Sequence, residues 1–569
     1  MFDLEHDRYS YGNLLLPDPG FTLDAAVGTT YSLDLEALLG VPVSLGLLEE
    51  ANSELMRSPL YILEAIRKSA DKFVVFCNAG GIKLPQNIQS VYALLEQSVF
   101  QVKLKDKCNF HPKLWVLKYS DGEGSSYIKL VVLSRNLTFD HSIDVCVTLT
   151  GAVKKAKRLK NKPVADMLHY LLSYASEKKQ KLIEELADAV LHVPKFEVEH
   201  PFEDYEFLPM GIPGYGSSAR KLLGPKRDIF AVSPFLSDGV VKQIADCTGH
   251  KVLITRKASV TPAVMKAFDR VYVTREVLSD NEFRVNQDIH AKLYYVHTDD
   301  GNSLYLGSAN ASRNAFYRNV ESMLRLDYAP YTMGWKTFED DFLPKDGCPY
   351  EELTVPPQPS PQDSEQEELS NALQEAVCAV QSASVQRDGN TWTILVRSDP
   401  IDSKVRIAPL YRSGCSSLLA ENNQFSGLLL KELSEFFILS IEGQCVVIKI
   451  PTAGIPKERD QAIYRGVIDT RDKFLSYLSF ALSDDYQTDA AEHELLVSAE
   501  KLQEYSQRQT HMKSFPAIYE KLLKAFHADS RKLLGIRDMV SRLDPDVVGP
   551  EFEQMFRQFE NLTERRRNQ

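Results

Sequence analysis

Two short segments of this chain repeat one pattern, and this repeat constrains the fold more than any other feature. The first segment runs from His111 to Asn136 and the second from His290 to Asn310. Each opens with His-x-Lys at the start of an apolar strand, reverses at an Asp-Gly turn, and ends a second apolar strand with Ser-x-Asn. Because such repetition is hard to obtain by accident, we predict two β-hairpins built on one plan, 179 positions apart (290 minus 111).

The spacing within each segment brings its polar side chains to one end of the predicted hairpin. Side chains at positions i and i+2 of a strand point to the same face, so the His and the Lys of a segment can reach one small anion together. The Asn that ends the segment closes the other side of that pocket. The predicted anion ligands are His111, Lys113, Asn136, His290, Lys292 and Asn310.

A third His-x-Lys triplet, at His511 and Lys513, shows how little the triplet means alone. It lies in a polar stretch of helical pattern with no Ser-x-Asn after it, and we interpret it as solvated surface. The two long segments have a similar alternative, a pair of amphipathic hairpins without a common site. Their shared order of His, Lys, turn, Ser and Asn favours one phosphate-type site.

The two segments resemble the half-sites of the phospholipase D superfamily, the HKD phosphodiesterases. Members usually carry an Asp five residues after the Lys, whereas Lys118 and His297 stand in those places here. A motif without that Asp is similar to that of the tyrosyl-DNA phosphodiesterase branch. Asn319 and Glu321 resemble the Asn-x-Glu of bacterial nucleases in the superfamily, and Asp144 occupies a comparable place after the first segment.

The resemblance implies roles for these residues in phosphodiester cleavage. His111 is then the nucleophile and His290 the general acid and base, although the residues alone do not order two such similar segments. Asp144 and Glu321 would orient the imidazole rings, whose environments are expected to move their pKa values apart. No metal or other cofactor is expected. The groups expected to hold the non-bridging oxygens are Lys113, Lys292, Asn136 and Asn310.

Further substrate contacts are expected beside these ligands. The serines of the two Ser-x-Asn elements, Ser134 and Ser308, are candidates. A basic run after the first segment is a candidate rim for a nucleic-acid backbone, although such a run is as often a solvated face. The net charge of −12 is unusual for a protein that wraps a polyanion. The predicted contacts within the basic run are Lys154, Lys155, Lys157 and Arg158.

Strand and helix patterns alternate around each segment, which predicts mixed sheets covered by helices. We predict strands over 72–77, 228–232 and 251–255, and helices over 52–70, 86–96 and 238–246. The expected fold class is α/β, with two pseudo-symmetric phospholipase D-like α/β/α halves that share one active site. A small β-rich domain and a C-terminal helical region follow.

The expected boundaries divide the chain into six parts. They are 1–160 for the first half, 161–200 for a helical connector, 201–343 for the second half, 344–369 for a Pro-rich linker, 370–460 for the β-rich domain and 461–569 for the helical region. The C-terminal third shows no visible chemistry. We therefore assign it to recognition or partner contact.

Composition indicates the compartment. The eight Cys are scattered without a C-x-x-C pair, which argues against a disulfide scaffold or a zinc site and favours a reducing environment. The first ten residues are acidic where a signal peptide is basic, and no run approaches the roughly 18 apolar residues of a membrane span. We expect a soluble, cytoplasmic protein without membrane contact.

Three functions follow as hypotheses. The first is a phosphoric diester hydrolase that acts on nucleic acid, DNA in preference to RNA, in DNA processing or antiviral defence. The second is a phospholipid-cleaving phospholipase D-type hydrolase, for which the sequence offers no clear bilayer-docking surface. The third is a scaffold with a quiet site. Multidomain members of the superfamily often occur beside helicases, so by analogy a helicase or ATPase is an expected partner of the C-terminal region.

Overall fold

The computed structural model describes residues 11–46, 59–105, 108–139, 142–216, 218, 220–275, 289–329, 331–344, 348–357, 363–401, 404–482, 510–528 and 530–567. Within these ranges the chain is a mixed α/β protein with four sheets. None of the described helices has the length and apolar character that a bilayer crossing demands.

The first sheet forms around the His111 segment. The strands of this part of the chain are β1 Thr22–Thr30, β2 Leu33–Asp34, β3 Phe73–Asn78, β4 Ile82–Lys83, β5 Val99–Val102, β6 Leu114–Ser120, β7 Ser126–Leu133 and β8 Cys146–Ala152. Its helices are α1 Tyr11–Leu14, α2 Leu35–Gly46 and α3 Pro59–Ser69, with a 3-10 helix at Ser90–Ser98. The strand order is β5-β3-β1-β6-β7-β8, in which β1, β3 and β5 are parallel and the other neighbours antiparallel.

The central strand β1 depends on a glycine. A Cβ atom at Gly28 would lie 2.6 Å from the ring of Trp115 on the neighbouring strand β6. A larger residue would therefore push the indole out of its buried position. The strand carries its buried side chains in a nearly continuous run, as expected for a strand covered on both faces.

The second sheet follows a connector of two helices, α4 Lys162–Leu171 and α5 Glu177–Leu191. Its strands are β9 Asp204–Met210, β10 Asp228–Val232, β11 Lys251–Thr255, β12 Arg270–Thr274, β13 Leu293–Thr298, β14 Gly301–Gly307, β15 Glu321–Tyr328 and β16 Tyr350–Glu352. The helices are α6 Arg220–Leu223, α7 Asp238–Ile244, α8 Pro262–Ala267, α9 Arg313–Tyr317 and α10 Trp335–Phe342. The order is β16-β12-β11-β10-β13-β14-β15-β9.

The two sheets share one strand order and one apolar core. The run β12-β11-β10-β13-β14-β15 has the same parallel and antiparallel neighbours as β5-β3-β1-β6-β7-β8. Both predicted hairpins are confirmed, as β6 with β7 and β13 with β14. Val116 and Val132 of the first sheet lie in the same buried cluster as Phe230 and Leu293 of the second. The polar ends of the hairpins are thereby held against each other.

Most predicted elements are present, with shifted ends. The strands predicted over 228–232 and 251–255 are confirmed, and the one predicted over 72–77 is Phe73–Asn78. The helix predicted over 86–96 is a 3-10 helix, Ser90–Ser98, and α7 ends at Ile244. Of the helix predicted over 52–70, α3 covers the second part, and 52–58 lie outside the described residues.

The predicted linker over 344–369 contains regular secondary structure at both of its ends. Strand β16 pairs with β12, and helix α11 Asp363–Ala379 starts before the expected end of the linker, so a linker over all of 344–369 is wrong. The β strands are β17 Val380–Asp388, β18 Thr391–Ser398, β19 Arg406–Pro409, β20 Ser417–Leu418, β21 Asn422–Leu428, β22 Phe436–Ile441, β23 Gln444–Lys449 and β24 Thr452–Ala453. The final helices are α12 Glu458–Val467, α13 Arg471–Ala481, α14 Thr510–Ala528, α15 Ser530–Arg542, α16 Pro545–Val548 and α17 Pro550–Arg567.

This third packs on helices beside the first sheet and forms another sheet with strands β2 and β4. Strand β4 pairs with β23 in the order β2-β4-β23-β22-β19-β20. Arg459 forms a buried ion pair of 2.5 Å with Glu96, and the Tyr477 hydroxyl donates to Glu64 at 2.7 Å. The C-terminal third is therefore part of one packed body with the first sheet, rather than a detached module.

Candidate active site

The polar ends of the two hairpins meet through matching main-chain contacts. The His111 amide donates to the Val320 carbonyl at 2.9 Å, and the Val320 amide donates to the Asn109 carbonyl at 3.0 Å. On the other side the His290 amide donates to the Ile143 carbonyl at 3.0 Å. The segment that carries each histidine thus lies against the segment that precedes a carboxylate of the other sheet.

Each histidine is paired with a carboxylate from the opposite sheet. His111 Nδ1 lies 2.7 Å from Glu321 Oε2, and His290 Nδ1 lies 2.9 Å from Asp144 Oδ1. These contacts fix the ring orientations and direct Nε2 of each ring away from its carboxylate. The predicted orienting role of Asp144 and Glu321 therefore has the geometry it needs.

The two predicted substrate-binding serines hold these carboxylates in place. Ser308 Oγ donates to Glu321 Oε2 at 2.5 Å, and Ser134 Oγ donates to Asp144 Oδ1 at 2.6 Å. Both serines are fully buried. The expected substrate contact at Ser134 and Ser308 is not supported by these positions. We assign both to positioning the carboxylates.

The contact of Ser308 with its carboxylate depends on a glycine. Gly307 has a φ of +149°, and a Cβ atom there would lie 2.3 Å from the Ser322 carbonyl oxygen. This close approach lets the Ser308 amide donate to that oxygen at 2.9 Å, while the Ser322 amide donates to Ser308 Oγ, also at 2.9 Å. The Asn319 carboxamide adds a donor to Glu321 Oε1 at 3.1 Å.

Two fully buried lysines lie at the centre of the site. Lys113 Nζ donates to His111 Nε2 at 3.0 Å and to the His111 carbonyl at 3.2 Å. Since the ammonium is a donor only, His111 carries its proton on Nδ1, toward Glu321, and its lone pair on Nε2. Lys292 Nζ donates to the His290 carbonyl in the matching place.

The two asparagines occupy different environments. Asn136 Oδ1 accepts a hydrogen bond from the Ser32 amide at 3.3 Å. Asn310 is buried, and within the described part of the chain its Oδ1 position has no hydrogen-bond partner. The oxygen and nitrogen of a carboxamide exchange places by a simple flip. Asn310 can therefore offer either a donor or an acceptor to a ligand.

Burial lowers the pKa values of the histidines and of Lys292 in the site, because it disfavours their protonated, cationic forms. Burial lowers the pKa of His111 to about 4, against the opposing effect of Glu321, and Lys113 lowers it further. Burial also lowers the pKa of His290, and it lowers that of Lys292 well below its usual range. Both imidazoles are therefore neutral at pH 7 in the free protein. A bound anion would raise all of these pKa values.

Asp144 has the opposite environment. Burial alone would raise the pKa of this carboxyl, but hydrogen bonds from His290 and Ser134 and the nearby positive charges lower it to about 2. The carboxylate is therefore ionised over the whole useful pH range. It is ready to stabilise a proton on His290 once an anion binds.

Tyr31 belongs to the site but was not predicted from the sequence. Its ring centroid lies 5.0 Å from that of His111, and Lys113 Nζ lies 5.8 Å from the same Tyr31 centroid. Burial raises the pKa of its phenol. Tyr31 directly follows β1, the strand that was also missed, so recognising that strand would have pointed to it.

The basic run is remote from this site. Strand β8 leads from Asp144 toward it, and a strand of that length spans roughly 23 Å. Its four predicted contacts are exposed, and Lys157 forms an ion pair of 2.5 Å with Asp188. The interpretation as a substrate rim is not supported, because the run lies at the far end of the sheet and faces solvent. This conclusion applies to all four predicted contacts, Lys154, Lys155, Lys157 and Arg158.

At the two positions where the motif of the phospholipase D superfamily has Asp, this chain has a basic residue that pairs with a carboxylate. Lys118 Nζ lies 2.9 Å from Asp24 on β1, and His297 Nδ1 lies 2.6 Å from Asp228 on β10. Both pairs join a hairpin strand to the central strand of its own sheet. The acidic partner is therefore on the neighbouring strand in each of the two sheets.

The site suits an anion. Its two carboxylates, Asp144 and Glu321, each face an imidazole. Among the residues that the structure describes, no three His, Cys, Asp or Glu side chains come together as potential metal ligands. The other polar groups of the site are imidazole nitrogens, ammonium groups and carboxamides, which match the oxygens of a phosphate.

No family model and no curated protein sequence matches the chain. Solved structures of phospholipase D superfamily members are similar to it at low identity. A yeast tyrosyl-DNA phosphodiesterase structure has 14% identity over 56% of this chain and 86% of its own, with a TM-score of 0.33. Phosphatidylserine synthase of Haemophilus influenzae has 11% identity over 64% and 91%, with a TM-score of 0.36. Nuc of Salmonella typhimurium, a phospholipase D family member, has 13% identity over 22% and 85%, with a TM-score of 0.17.

Proposed function

We propose that this protein is a metal-independent phosphodiesterase that cleaves nucleic acid through a covalent phosphohistidine. The observation that carries the proposal is the crossed pairing of two histidines with two carboxylates around two buried lysines. A buried cluster of this composition is stable only if an anion or its own carboxylates compensate the charge. A phosphodiester placed beside both lysines would bring negative charge to the point where two cationic side chains are buried together, which favours an anionic substrate.

The first chemical step uses the lone pair on His111 Nε2, after Lys113 has exchanged its hydrogen bond to this nitrogen for one to a non-bridging oxygen of the substrate. This nitrogen attacks phosphorus, a P–N bond forms, and the P–O bond to the leaving group breaks. The leaving oxygen takes the proton from Nε2 of His290, which the anionic substrate and Asp144 keep protonated in the complex. In the free protein the pKa of His111 is about 4, so Nε2 is unprotonated and available as a nucleophile when the substrate arrives.

The second step regenerates the enzyme. His290, now neutral, removes a proton from water, and the water oxygen attacks phosphorus. The P–N bond to His111 breaks, and the product leaves as a phosphomonoester. Each histidine thus returns to its starting state without an external reagent.

Stabilisation of the transition state falls to the central cations and carboxamides. Lys113, Lys292, Asn136 and Asn310 are the proposed partners of the non-bridging oxygens. At about 1.5–3 kcal/mol for each hydrogen bond to a charged group, four such contacts supply a large share of the roughly 8–23 kcal/mol that enzymes remove from a barrier. The contacts count only as far as they tighten in the transition state.

Nucleic acid as the substrate, DNA in preference to RNA, is supported by the motif. The absence of the motif Asp and the presence of Asn319 and Glu321 resemble the DNA-acting branches of the superfamily. We propose on the same basis that the two sheets are two phospholipase D-like halves. Roles in DNA processing or antiviral defence, and a helicase or ATPase partner for the C-terminal third, rest on analogy alone.

The test is a digest of end-labelled single- and double-stranded DNA in EDTA. Wild type should cut, and His111→Ala should not, while His169→Ala, a change at an exposed histidine on α4, should behave as wild type. Cleavage that disappears in EDTA, or that survives in His111→Ala, would overturn the proposal. Parallel digests of RNA and of phospholipid vesicles identify the substrate class if DNA is not cut.

A further inference from the structure

A large aromatic ring is exposed beside the site, on the loop that follows β10. Phe235 has 47% of its surface exposed. The loop that carries it is firmly held, because Ser233 Oγ donates to the Phe235 carbonyl at 3.0 Å and Ser259 Oγ donates to the Pro234 carbonyl at 2.7 Å. The ring is thus exposed at a fixed place.

The main chain ties this loop to the Asn310 end of the site. The residue after Phe235, Leu236, forms a bridge with Ala311, and the Ser237 amide donates to the Ala311 carbonyl at 3.0 Å. Ala311 directly follows Asn310. The loop of Phe235 is therefore held against the main chain directly beside Asn310, a proposed phosphate contact.

An arginine ties the same ring to the His290 end. The Arg256 guanidinium carbon lies 4.7 Å from the Phe235 ring centroid, and Arg256 Nε donates to the Ile289 carbonyl at 3.2 Å. Ile289 directly precedes His290. Burial is the main reason that the pKa of Lys292 is low, and the charge of Arg256 contributes, which is consistent with its place at the edge of the site.

Single exposed aromatics are common on protein surfaces and usually need no explanation. Phe235 differs because a cation covers one face of its ring beside a cationic centre built for an anion. Nucleic acid offers a matching pair of groups, since each phosphate is followed by a planar base. Aromatic rings backed by arginine are favourable surfaces for such stacking.

We propose that Phe235, backed by Arg256, is a stacking platform for an unpaired nucleobase next to the scissile phosphate. This inference rests on the proposed function and narrows it to single strands, flaps or strand ends. In a continuous duplex both faces of every internal base are already stacked on neighbouring bases. Only an unpaired or terminal base has a free face for the ring.

The experiment compares Phe235→Ala, Phe235→Trp and wild type on two single-stranded oligonucleotides. One is intact, and the other has abasic sites in place of its bases. Phe235→Ala should lower kcat/KM on the intact strand about 10- to 100-fold, the range expected for one lost stacked base, and should change cleavage of the abasic strand little. Phe235→Trp should retain wild-type activity. Tyr331→Ala is the matched control, because Tyr331 is 87% exposed and follows the far end of β15.

The outcomes separate this inference from the proposed function when strand binding is measured beside cleavage. Equal losses on both strands in Phe235→Ala, or no loss on either, would overturn the platform while leaving the phosphodiesterase intact. Binding that prefers the intact strand and depends on Phe235, without any cleavage by wild type, would support the platform and overturn the chemistry. A strand that is neither bound nor cut would overturn both.

Discussion

His111 Nδ1 lies 2.7 Å from Glu321 Oε2, across the junction between the two sheets. The two residues are 210 positions apart in the sequence. The reciprocal contact joins His290 to Asp144 at 2.9 Å. Each imidazole is therefore oriented by the half of the site that does not carry it. Neither hairpin holds a complete set of groups on its own, so the site exists only when the two sheets are docked.

Replacing either carboxylate with its amide should slow turnover strongly. In Glu321→Gln or Asp144→Asn the side chain keeps its size but no longer stabilises a charged ring. By comparison with an amide placed behind a catalytic histidine in other hydrolases, kcat should fall about 10²- to 10⁴-fold. Asp327→Asn is the control, because Asp327 pairs with Arg325 on β15 away from the site. Unchanged turnover in both amide variants would contradict the crossed arrangement.

The serines should affect the rate without affecting substrate binding. Ser134 and Ser308 donate to carboxylates, so Ser134→Ala and Ser308→Ala should lower kcat about tenfold, the value expected for one hydrogen bond to a charged group. KM should stay near the wild-type value. Asn310→Ala provides the contrast, because loss of a direct phosphate contact should raise KM. A raised KM in the serine variants would restore their predicted role as substrate ligands.

Stability should depend on pH through His111. Its pKa is about 4 in the folded protein and about 6.5 in an unfolded chain, so the unfolded chain binds more protons between these values. The stabilising contribution of the neutral ring is complete above pH 6.5 and is lost as the pH falls toward 4. Over that window the free energy of unfolding should drop by about 3 kcal/mol from this group.

The measurement is urea unfolding at several pH values for wild type and His111→Asn. The variant, which cannot titrate at this position, should show a shallower decline than wild type between pH 6.5 and 4. Asp144 contributes only at lower pH, because its pKa is lowered from 3.8 to about 2. His169→Asn, at an exposed position, should follow wild type. Identical slopes in His111→Asn and wild type would contradict the buried, neutral state of the ring.

The hairpins could be predicted because local rules suffice for them. Apolar runs, an Asp-Gly turn and a repeated His-x-Lys place β6, β7, β13 and β14 without any tertiary information. The same local reasoning missed β1, whose small residues make a weak strand pattern. That strand pairs with β3 and β6 in the middle of the sheet, and Trp115 packs over its Gly28, which are tertiary contacts. Tyr31 was missed with it.

The roles of individual polar groups were harder to predict than their presence. Spacing places Ser134 near Asn136, but it does not tell which of them faces the Asp144 carboxylate. The basic run that contains Lys157 follows the first hairpin in sequence, yet β8 carries the chain to the opposite end of the sheet before it begins. Sequence proximity to a motif is therefore a poor guide to distance from the site when a strand intervenes.

The C-terminal third should be needed for stability because its contacts with the first sheet are buried. Arg459→Met leaves Glu96 as an unpaired carboxylate in a buried position and should cost about 3–5 kcal/mol of unfolding free energy. Lys178→Met, which breaks a pair with Asp71 that is 67% exposed on both sides, should cost less than about 1 kcal/mol. Chemical denaturation monitored by tryptophan fluorescence measures both. Equal, small losses would mean that the C-terminal third is only loosely docked.

The most direct test of the central claim is the intact mass of His290→Asn after incubation in EDTA with a single-stranded oligonucleotide that ends in a p-nitrophenyl phosphodiester, whose leaving group departs without protonation. Without the general base, water is not activated, and the phosphohistidine should accumulate. The account predicts a protein whose mass has increased by one product fragment, with the adduct mapped to His111, and no adduct in His111→Asn. An adduct on any other residue, or wild-type turnover with no adduct in either variant, would contradict it.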